Sequence, residues 1–407
     1  MFYNLGIFIY SLLIHLAAPF SRKPRKMMKG HWIVYELLRQ QKEKDAKYIW
    51  FHAASLGEFE QGRPLIERIR ERYPQYKILL TFFSPSGYEV RRNYKGADIV
   101  CYLPLDKPRN VKKLLDIIQP CMAFFIKYEF WKNYLDELHK RNIPVYSVSS
   151  IFRKDQIFFK WYGGLYRKVL LDFDQLFVQN ETSKRFLSKI GIEKVTVVGD
   201  TRFDRVLEIR QAAKDLPLVE FFKNESLTIV AGSSWAPDED LFIEYFNTHP
   251  DIKLIIAPHV IDENHLVEII SKLKRPYVRY SKANEQNVKN ADCLIIDGFG
   301  LLSSIYRYGK IAYIGGGFGV GIHNILEAAV YGIPVIFGPK YHKFMEARQL
   351  LEEQGAFTIK DKEDLSQLLD NMISDKEFLK VSGLNAGNYV TKNLGASEKI
   401  LSQINFE

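Results

Sequence analysis

From residue 48 onward, short runs of β-branched and aromatic residues alternate with amphipathic stretches of helical period, and this alternation constrains the fold more than any other feature of the chain. Strands that recur only after a helix cannot pair as hairpins, so they pair in parallel, with helices covering the sheet. The pattern comes in two series. The first places strands at 48–53, 77–81, 99–103, 122–126, 145–148 and 175–178, and the second at 227–231, 253–257, 293–296, 311–314 and 334–337. Between them, residues 203–226 are rich in charge and contain Pro217, which reads as the end of one domain and the link to the next. The 407 residues suffice for two such domains, each of roughly 100–200 residues. With 47% hydrophobic and 26% charged residues the usage is that of a globular protein, which excludes fibrous and disordered classes. The expected fold class is therefore α/β, two Rossmann-like domains facing across a cleft. The expected boundaries are 1–21 for an N-terminal segment, 22–205, a linker at 206–226, and 227–407, with the last helix free to return to the first domain.

The segment 2–20 carries no charged side chain and is followed by Arg22-Lys23-Pro24-Arg25-Lys26-Met27-Met28-Lys29, five cations without an acid. As a helix, 19 residues reach about 28 Å, close to the thickness of a hydrocarbon core. The segment could span a bilayer, lie in its interface, pack as a buried N-terminal helix, or act as a signal. A signal carries its cations before the apolar run and a small-x-small site after it; here the cations follow and Pro19-Phe20-Ser21 stands at the junction. An uncleaved membrane-anchor helix fits better, and the positive-inside rule keeps the main body on the cytoplasmic face of the inner membrane. Part of the net charge of +9, from 57 cations and 48 acids, sits in this cluster and points to an anionic membrane surface rather than to nucleic acid. The basic-aromatic stretch 158–168 has the make-up of a nucleic-acid-binding segment and fits the same lipid surface equally. Cys101, Cys121 and Cys293 are distant and odd in number, which suits core residues of a reducing compartment.

In doubly wound sheets ligands bind beyond the carboxyl ends of the strands, so the loops there are where chemistry is expected. The first strand ends in Ser55-Leu56-Gly57-Glu58. A carboxylate at such a turn, if partly desolvated, reaches general-base range, and Glu58 is the candidate; the plainer alternative is a first-turn glutamate favoured by the helix dipole. The strand at 122–126 runs into Lys127-Tyr128-Glu129-Phe130-Trp131. Glu129 would orient a substrate or support Glu58, or else form a surface pair with Lys127. In the second series Gly315-Gly316-Gly317-Phe318-Gly319-Val320-Gly321 precedes an expected helix at 322–329, a setting that suits a phosphate. Glu327 would accept bonds from ribose hydroxyls, or is an ordinary helix residue; Asn324 would cap the helix or touch the phosphate. Pro258-His259 and Phe299-Gly300-Leu301 lie on loops able to hold a base. The dinucleotide fingerprint and the P-loop are both absent. Asp172-Phe173-Asp174 and Asp238-Glu239-Asp240 have D-x-D form but more readily flank a strand or open a helix, so no metal site is expected.

These motifs, together with Gly199-Asp200-Thr201-Arg202-Phe203-Asp204 and His323-Asn324-Ile325-Leu326-Glu327, resemble in order and over nearly the whole chain the 3-deoxy-D-manno-octulosonic acid (Kdo) transferases. The resemblance implies a GT-B glycosyltransferase of lipopolysaccharide assembly that moves Kdo from CMP-Kdo to the lipid A precursor, lipid IVA, with inversion and without a cofactor or bound metal. Carried over by motif, Glu58 would be the general base, with Glu129 beside it. Pro258, His259, Phe299, Gly300, Leu301, Gly316, Gly317, Asn324, Ile325, Leu326 and Glu327 would hold CMP. Ser55, Gly57, Lys127, Arg153 and Lys154 would meet the acceptor. The chain departs from the usual pattern at Ala257-Pro258-His259, commonly Pro-Arg-His, at Gly300-Leu301, commonly Gly-Glu, and near Ser149-Ser150-Ile151-Phe152-Arg153. The competing readings are another GT-B enzyme, a UDP-sugar transferase or a nucleotide-sugar epimerase, and a membrane-tethered nucleotide-binding adaptor.

Overall fold

The computed structural model describes residues 2–406. They form two compact units, one made of the chain up to Arg205 together with the stretch from Gly395 on, the other of Val206–Leu394.

In the first unit seven strands, β1 (Tyr48–Ala53), β2 (Lys77–Phe82), β3 (Ile99–Tyr102), β4 (Met122–Ile126), β5 (Val145–Ser150), β6 (Gln175–Val178) and β7 (Val195–Val197), form one parallel sheet in the order β3-β2-β1-β4-β5-β6-β7. Central β1 pairs Phe51 with Leu80 on one side and with Phe124 on the other. The strand period of two divides the core between the faces. Tyr48, Trp50, Ala123 and Phe125 pack with Val34 and Leu38, whereas Ile49, Phe51 and Phe124 pack with Phe59, Leu65, Ile66 and Ile69 of the helix Leu56–Arg72. Each such fully buried aromatic contributes about 1.5–3 kcal/mol of transfer free energy. The C-terminal stretch completes the second face. Ile400, Leu401, Ile404 and Phe406 join its core, and the Phe406 ring stacks on Tyr73 at 4.1 Å.

The N-terminal segment forms two helices, α1 (Phe2–Ala17) and α2 (Arg22–Gln41), bent by 116° where they meet. No single helix among the described residues is long and apolar enough to cross a membrane. One face of α1 is fixed to the unit: Ser11 and Ile14 are buried, Tyr3 Oη donates to Asp106 Oδ2 at 2.6 Å, and Lys107 Nζ donates to Ser11 Oγ at 2.8 Å. Its other face exposes Leu5, Phe8, Ile9, Leu12, Leu13 and Leu16.

The second unit repeats the architecture. Strands β8 (Leu227–Ser234), β9 (Ile252–Pro258), β10 (Tyr277–Arg279), β11 (Cys293–Ile295), β12 (Ile311–Ile314), β13 (Val335–Phe337) and β14 (Ala356–Thr358) form a parallel sheet in the order β10-β11-β9-β8-β12-β13-β14. Residues 206–226, expected as a linker, belong to this unit. The helix Pro217–Lys223 buries Val219 and Phe222, and the Leu216 N–H donates to Tyr308 Oη at 2.7 Å. The strands β7, β10 and β14 were not among those expected; each has three residues and lies at a sheet edge.

Candidate functional site

In the first unit the loops after β1 and β4 leave the same edge of the sheet from adjacent strands. Glu58 stands in the first turn of the helix Leu56–Arg72, and its Oε2 accepts the Ala54 N–H at 2.6 Å. Burial, and after it the charge of Glu129, pushes the Glu58 carboxyl from its ordinary 4.5 up to about 7, against the opposing pull of the Ala54 N–H and of Lys127. Both sequence readings of Glu58 thus describe one residue: the helix start places it, and desolvation gives it the proton affinity of a base working near neutrality.

Glu129 is 9% exposed. Its Oε2 accepts Nε1–H of Trp131 at 2.6 Å and lies 3.0 Å from Nε2 of His52, a fully buried residue of β1. Glu129 is therefore an interior carboxylate, unlike the surface pair that Lys127 alone suggested. On its far side the His52 ring reaches Thr81, with Nδ1 2.9 Å from Oγ1. His52 was missed in the sequence, although one signal was there: a lone polar residue inside the apolar run of a central strand.

Backbone strain is found just after β4 and at the end of β5. Lys127 has φ 66° and Ser149 has φ 56°, left-handed values that cost a residue with a Cβ about 1–3 kcal/mol each. Ser150 Oγ donates to the Lys127 carbonyl at 2.7 Å, and the Ser149 and Thr201 hydroxyls are 2.8 Å apart, which holds both turns. Burial raises the Tyr128 hydroxyl's pKa, while the charges of Arg153 and Arg202 pull it down and that of Glu58 raises it, so these groups share one neighbourhood. Ser55 caps the helix start without a side-chain bond, Gly57 and Lys154 are exposed, and Arg153 donates its backbone N–H to Gln156.

In the second unit the loops after β9, β8 and β12, three adjacent strands, are joined by stacked rings. Trp235 stacks on His259 at 4.8 Å, His259 on His323 at 4.3 Å, and Trp235 Nε1–H donates to His323 Nε2 at 3.1 Å. Burial, and secondarily His259, lowers the His323 pKa to about 4, so this ring is neutral at pH 7 and accepts the indole proton. Pro258 ends β9 beside this stack, while Phe299 is 82% exposed and Gly300 has φ 79°. Trp235 is the member that the motifs did not single out.

The glycine loop differs from its expectation. The Gly316 N–H donates to Asp238 Oδ2 at 2.9 Å, the same carboxylate receives the Tyr313 hydroxyl at 2.9 Å, and a Cβ on Gly317 would stand 2.5 Å from the Gly338 nitrogen. These two glycines permit close backbone approach within the unit, and the amide of Gly316 is already committed. The helix expected at 322–329 is only Leu326–Ala329. Ile325 is its N-cap, and Asn324 before it accepts Leu326 N–H on Oδ1 at 3.2 Å while its Nδ2 donates to Glu327 Oε1 at 2.9 Å. Glu327 therefore sits in the first turn, with Ile325 and Leu326 buried behind it. Of the D-x-D carboxylates, Asp174 accepts the Val145 N–H, Asp238 the bonds above, Asp240 pairs with Lys272 at 2.8 Å and Asp172 lies beside Asp136; Glu239 between the second pair accepts the Ser234 hydroxyl at 2.8 Å.

The family of 3-deoxy-D-manno-octulosonic acid transferases matches residues 31–205. A 3-deoxy-D-manno-octulosonic acid transferase of Aquifex aeolicus is 30% identical over 341 residues, 82% of this chain and 88% of that protein. Its counterpart in Haemophilus influenzae is 27% identical over 87% of this chain and 85% of its own length. Among solved structures, a UDP-GlcNAc 2-epimerase from Neisseria meningitidis superposes with a TM-score of 0.63 at 16% identity, covering 87% of this chain and 98% of that one, a likeness of GT-B fold alone. Sequence likeness to transferases over four-fifths of the chain, with the carboxylates and ring stack at the carboxyl ends of two parallel sheets, shows that the chain belongs to the Kdo transferases, glycosyltransferases of lipopolysaccharide biosynthesis.

Proposed function

We propose that the chain transfers Kdo from CMP-Kdo to the lipid A precursor lipid IVA in a single inverting displacement, with Glu58 as the general base. The observation that carries this reading is the Glu58 carboxyl raised to about 7 next to the buried Glu129. A base of that proton affinity takes the hydrogen of an acceptor hydroxyl near neutral pH as the oxygen attacks the anomeric carbon, and CMP leaves with the bonding pair. Glu129 keeps Glu58 basic. Lys127, Arg153 and Lys154, with Ser55 and Gly57, supply the cations and close backbone approach that a phosphorylated sugar requires.

In the second unit Pro258, His259 and Phe299 to Leu301 receive the cytosine ring against the His259–His323 stack, and Asn324 to Glu327 hold the ribose and phosphate. Gly316, its amide committed to Asp238, shapes that loop, and Gly317 beside it stands close to the Gly338 backbone and to the phosphate. The displacement is proposed to run without a cofactor or resident metal, as the family resemblance implies; Asp174 and Asp238 are taken up by backbone and hydroxyl donors and Asp240 by Lys272. The cations at 22–29 and the apolar face of α1 support attachment to the anionic cytoplasmic face of the inner membrane, where a lipid acceptor resides.

The test incubates the full chain with CMP-Kdo and lipid IVA, with and without a chelator, and follows CMP release. Release that depends on lipid IVA and survives chelation supports the reading. Release from UDP-GlcNAc alone, or none from CMP-Kdo, contradicts it.

A further inference from the structure

The sheet of the first unit contains one polar side chain whose presence its packing does not explain. His52 is buried on β1 between apolar neighbours, and its ring meets Phe125 edge-on at 5.7 Å and Trp131 at 6.5 Å. A hydrophobic residue would fill this space without the cost of desolvating an imidazole. The cost is offset by bonds at both nitrogens. Glu129 as a carboxylate only accepts, so the proton at its side resides on His52 Nε2. On the other side Nδ1 lies 2.9 Å from Thr81 Oγ1 and 3.1 Å from the Thr81 carbonyl, and Thr81 Oγ1 donates to the Phe51 carbonyl at 3.3 Å and accepts Trp50 Nε1–H at 2.8 Å. The result is a continuous run of hydrogen bonds from Trp50 through Thr81 and His52 to Glu129. It ends on the one oxygen, Oε2, that also takes the Trp131 indole hydrogen.

We propose that His52 is a positioning residue of the transfer reaction: with Trp131 it clamps the Glu129 carboxylate in the place from which its charge acts on Glu58. This inference rests on the reading of Glu58 as the base. The hydrogen-bond partners of His52 are Thr81 and Glu129, so it acts on Glu58 through Glu129. Four groups set the field at Glu58: Glu129 and Lys127 on the loop after β4, and the Ala54 and Ser55 amides at the start of its own helix. Of the two side chains, only Glu129 is tied to the sheet interior by a buried imidazole. Without the clamp the Glu129 carboxylate turns away, its effect on Glu58 weakens, and Glu58 becomes a weaker base with less driving force for taking the acceptor proton.

The experiment measures kcat, KM and the pH profile of kcat/KM in the full chain with CMP-Kdo and lipid IVA, for wild type, His52→Leu, His52→Gln and Trp131→Phe. The expected results for His52→Leu are a kcat about tenfold lower, a donor KM unchanged within about twofold, and an acidic limb moved to lower pH by about half a unit or more. His52→Gln keeps an amide donor and restores the limb toward wild type. Trp131→Phe removes the other donor to the same oxygen from a partly exposed position, so it reports on the clamp even where His52→Leu fails to fold. A limb unmoved in Trp131→Phe and in any folded His52→Leu overturns the proposal, because a residue needed only for folding lowers the amount of active protein and leaves the pH profile in place. Glu58→Gln separates the two levels. If it retains turnover, the base assignment fails and this inference with it; if it is inactive while the limb of the clamp variants stays put, only this inference fails.

Discussion

Asp238 accepts the amide hydrogen of Gly316 at 2.9 Å, and through this bond the start of the helix after β8 holds the loop after β12. The same carboxylate takes the Trp235 N–H at 3.0 Å and the Tyr313 hydroxyl at 2.9 Å. One buried side chain thus fixes the residue that begins the ring stack and the glycine that follows the strand.

Replacing Asp238 with Ala leaves three donors without their acceptor. Each buried donor so stranded costs about 1–3 kcal/mol, less where water enters, so Asp238→Ala should destabilise the second unit by about 3 kcal/mol. Thermal denaturation followed by circular dichroism should show a Tm several degrees lower, with weakened CMP binding. An unchanged Tm contradicts the assignment.

Glu58→Gln should keep the fold and lower kcat by about 10²-fold or more, the usual effect of losing a general base. In the wild type, activity should rise with pH through about 7 as Glu58 loses its proton. Stability carries the opposite sign. Since the folded-state pKa is raised from 4.5 to about 7, the folded protein holds this proton more tightly than the unfolded chain, and the stability so gained below pH 4.5 is lost as pH rises through 7. Relative to wild type, Glu58→Gln should therefore gain stability between pH 5 and pH 8, on the order of 1 kcal/mol once solvent screening of this partly exposed group is allowed for. Parallel melts at the two pH values check the sign.

Gly317→Ala should damage the second unit although alanine is small. The added Cβ meets the Gly338 backbone at 2.5 Å, which no rotamer relieves, and overpacking of this kind costs about 1–3 kcal/mol. Urea titration of the variant measures it. By contrast Gly57 has open space around its Cβ position, so Gly57→Ala should leave stability within about 0.5 kcal/mol of wild type.

Much of this was legible in the sequence because fully buried central strands carry a strong signal. Expected strands at 48–53, 122–126 and 311–314 coincide with β1, β4 and β12. The edge strands β7, β10 and β14 escaped because three residues are too few to show a period, and an edge strand needs less apolar surface. Glu58 and Glu129 were visible as carboxylates on turns after strands, but their coupling was not, since His52 on β1 and Trp131 on the loop after β4 meet at Glu129 only in the fold. The glycine loop misled for a related reason. Glycine serves both anion binding and close backbone approach, and only the position of Asp238, 78 residues earlier, shows which of the two Gly316 performs.

The N-terminal helix makes its own prediction. Leu12 and Leu16 are 51% and 60% exposed on the outer face of α1, beside a run of cations. Leu12→Glu with Leu16→Glu should reduce co-sedimentation with vesicles containing anionic lipid and leave the melting temperature unchanged, because neither side chain is part of the core. Raising the salt concentration should weaken binding of the wild type, since screening acts on the cations at 22–29. Undiminished sedimentation of the double variant would place the membrane contact elsewhere.

The most direct test of the whole account is mass analysis of lipid IVA after incubation with the purified full chain and CMP-Kdo, run beside Glu58→Gln at equal concentration. The expected result is lipid heavier by one or more Kdo residues with wild type and almost none with the variant. Unmodified lipid with wild type, or equal product from Glu58→Gln, would contradict it.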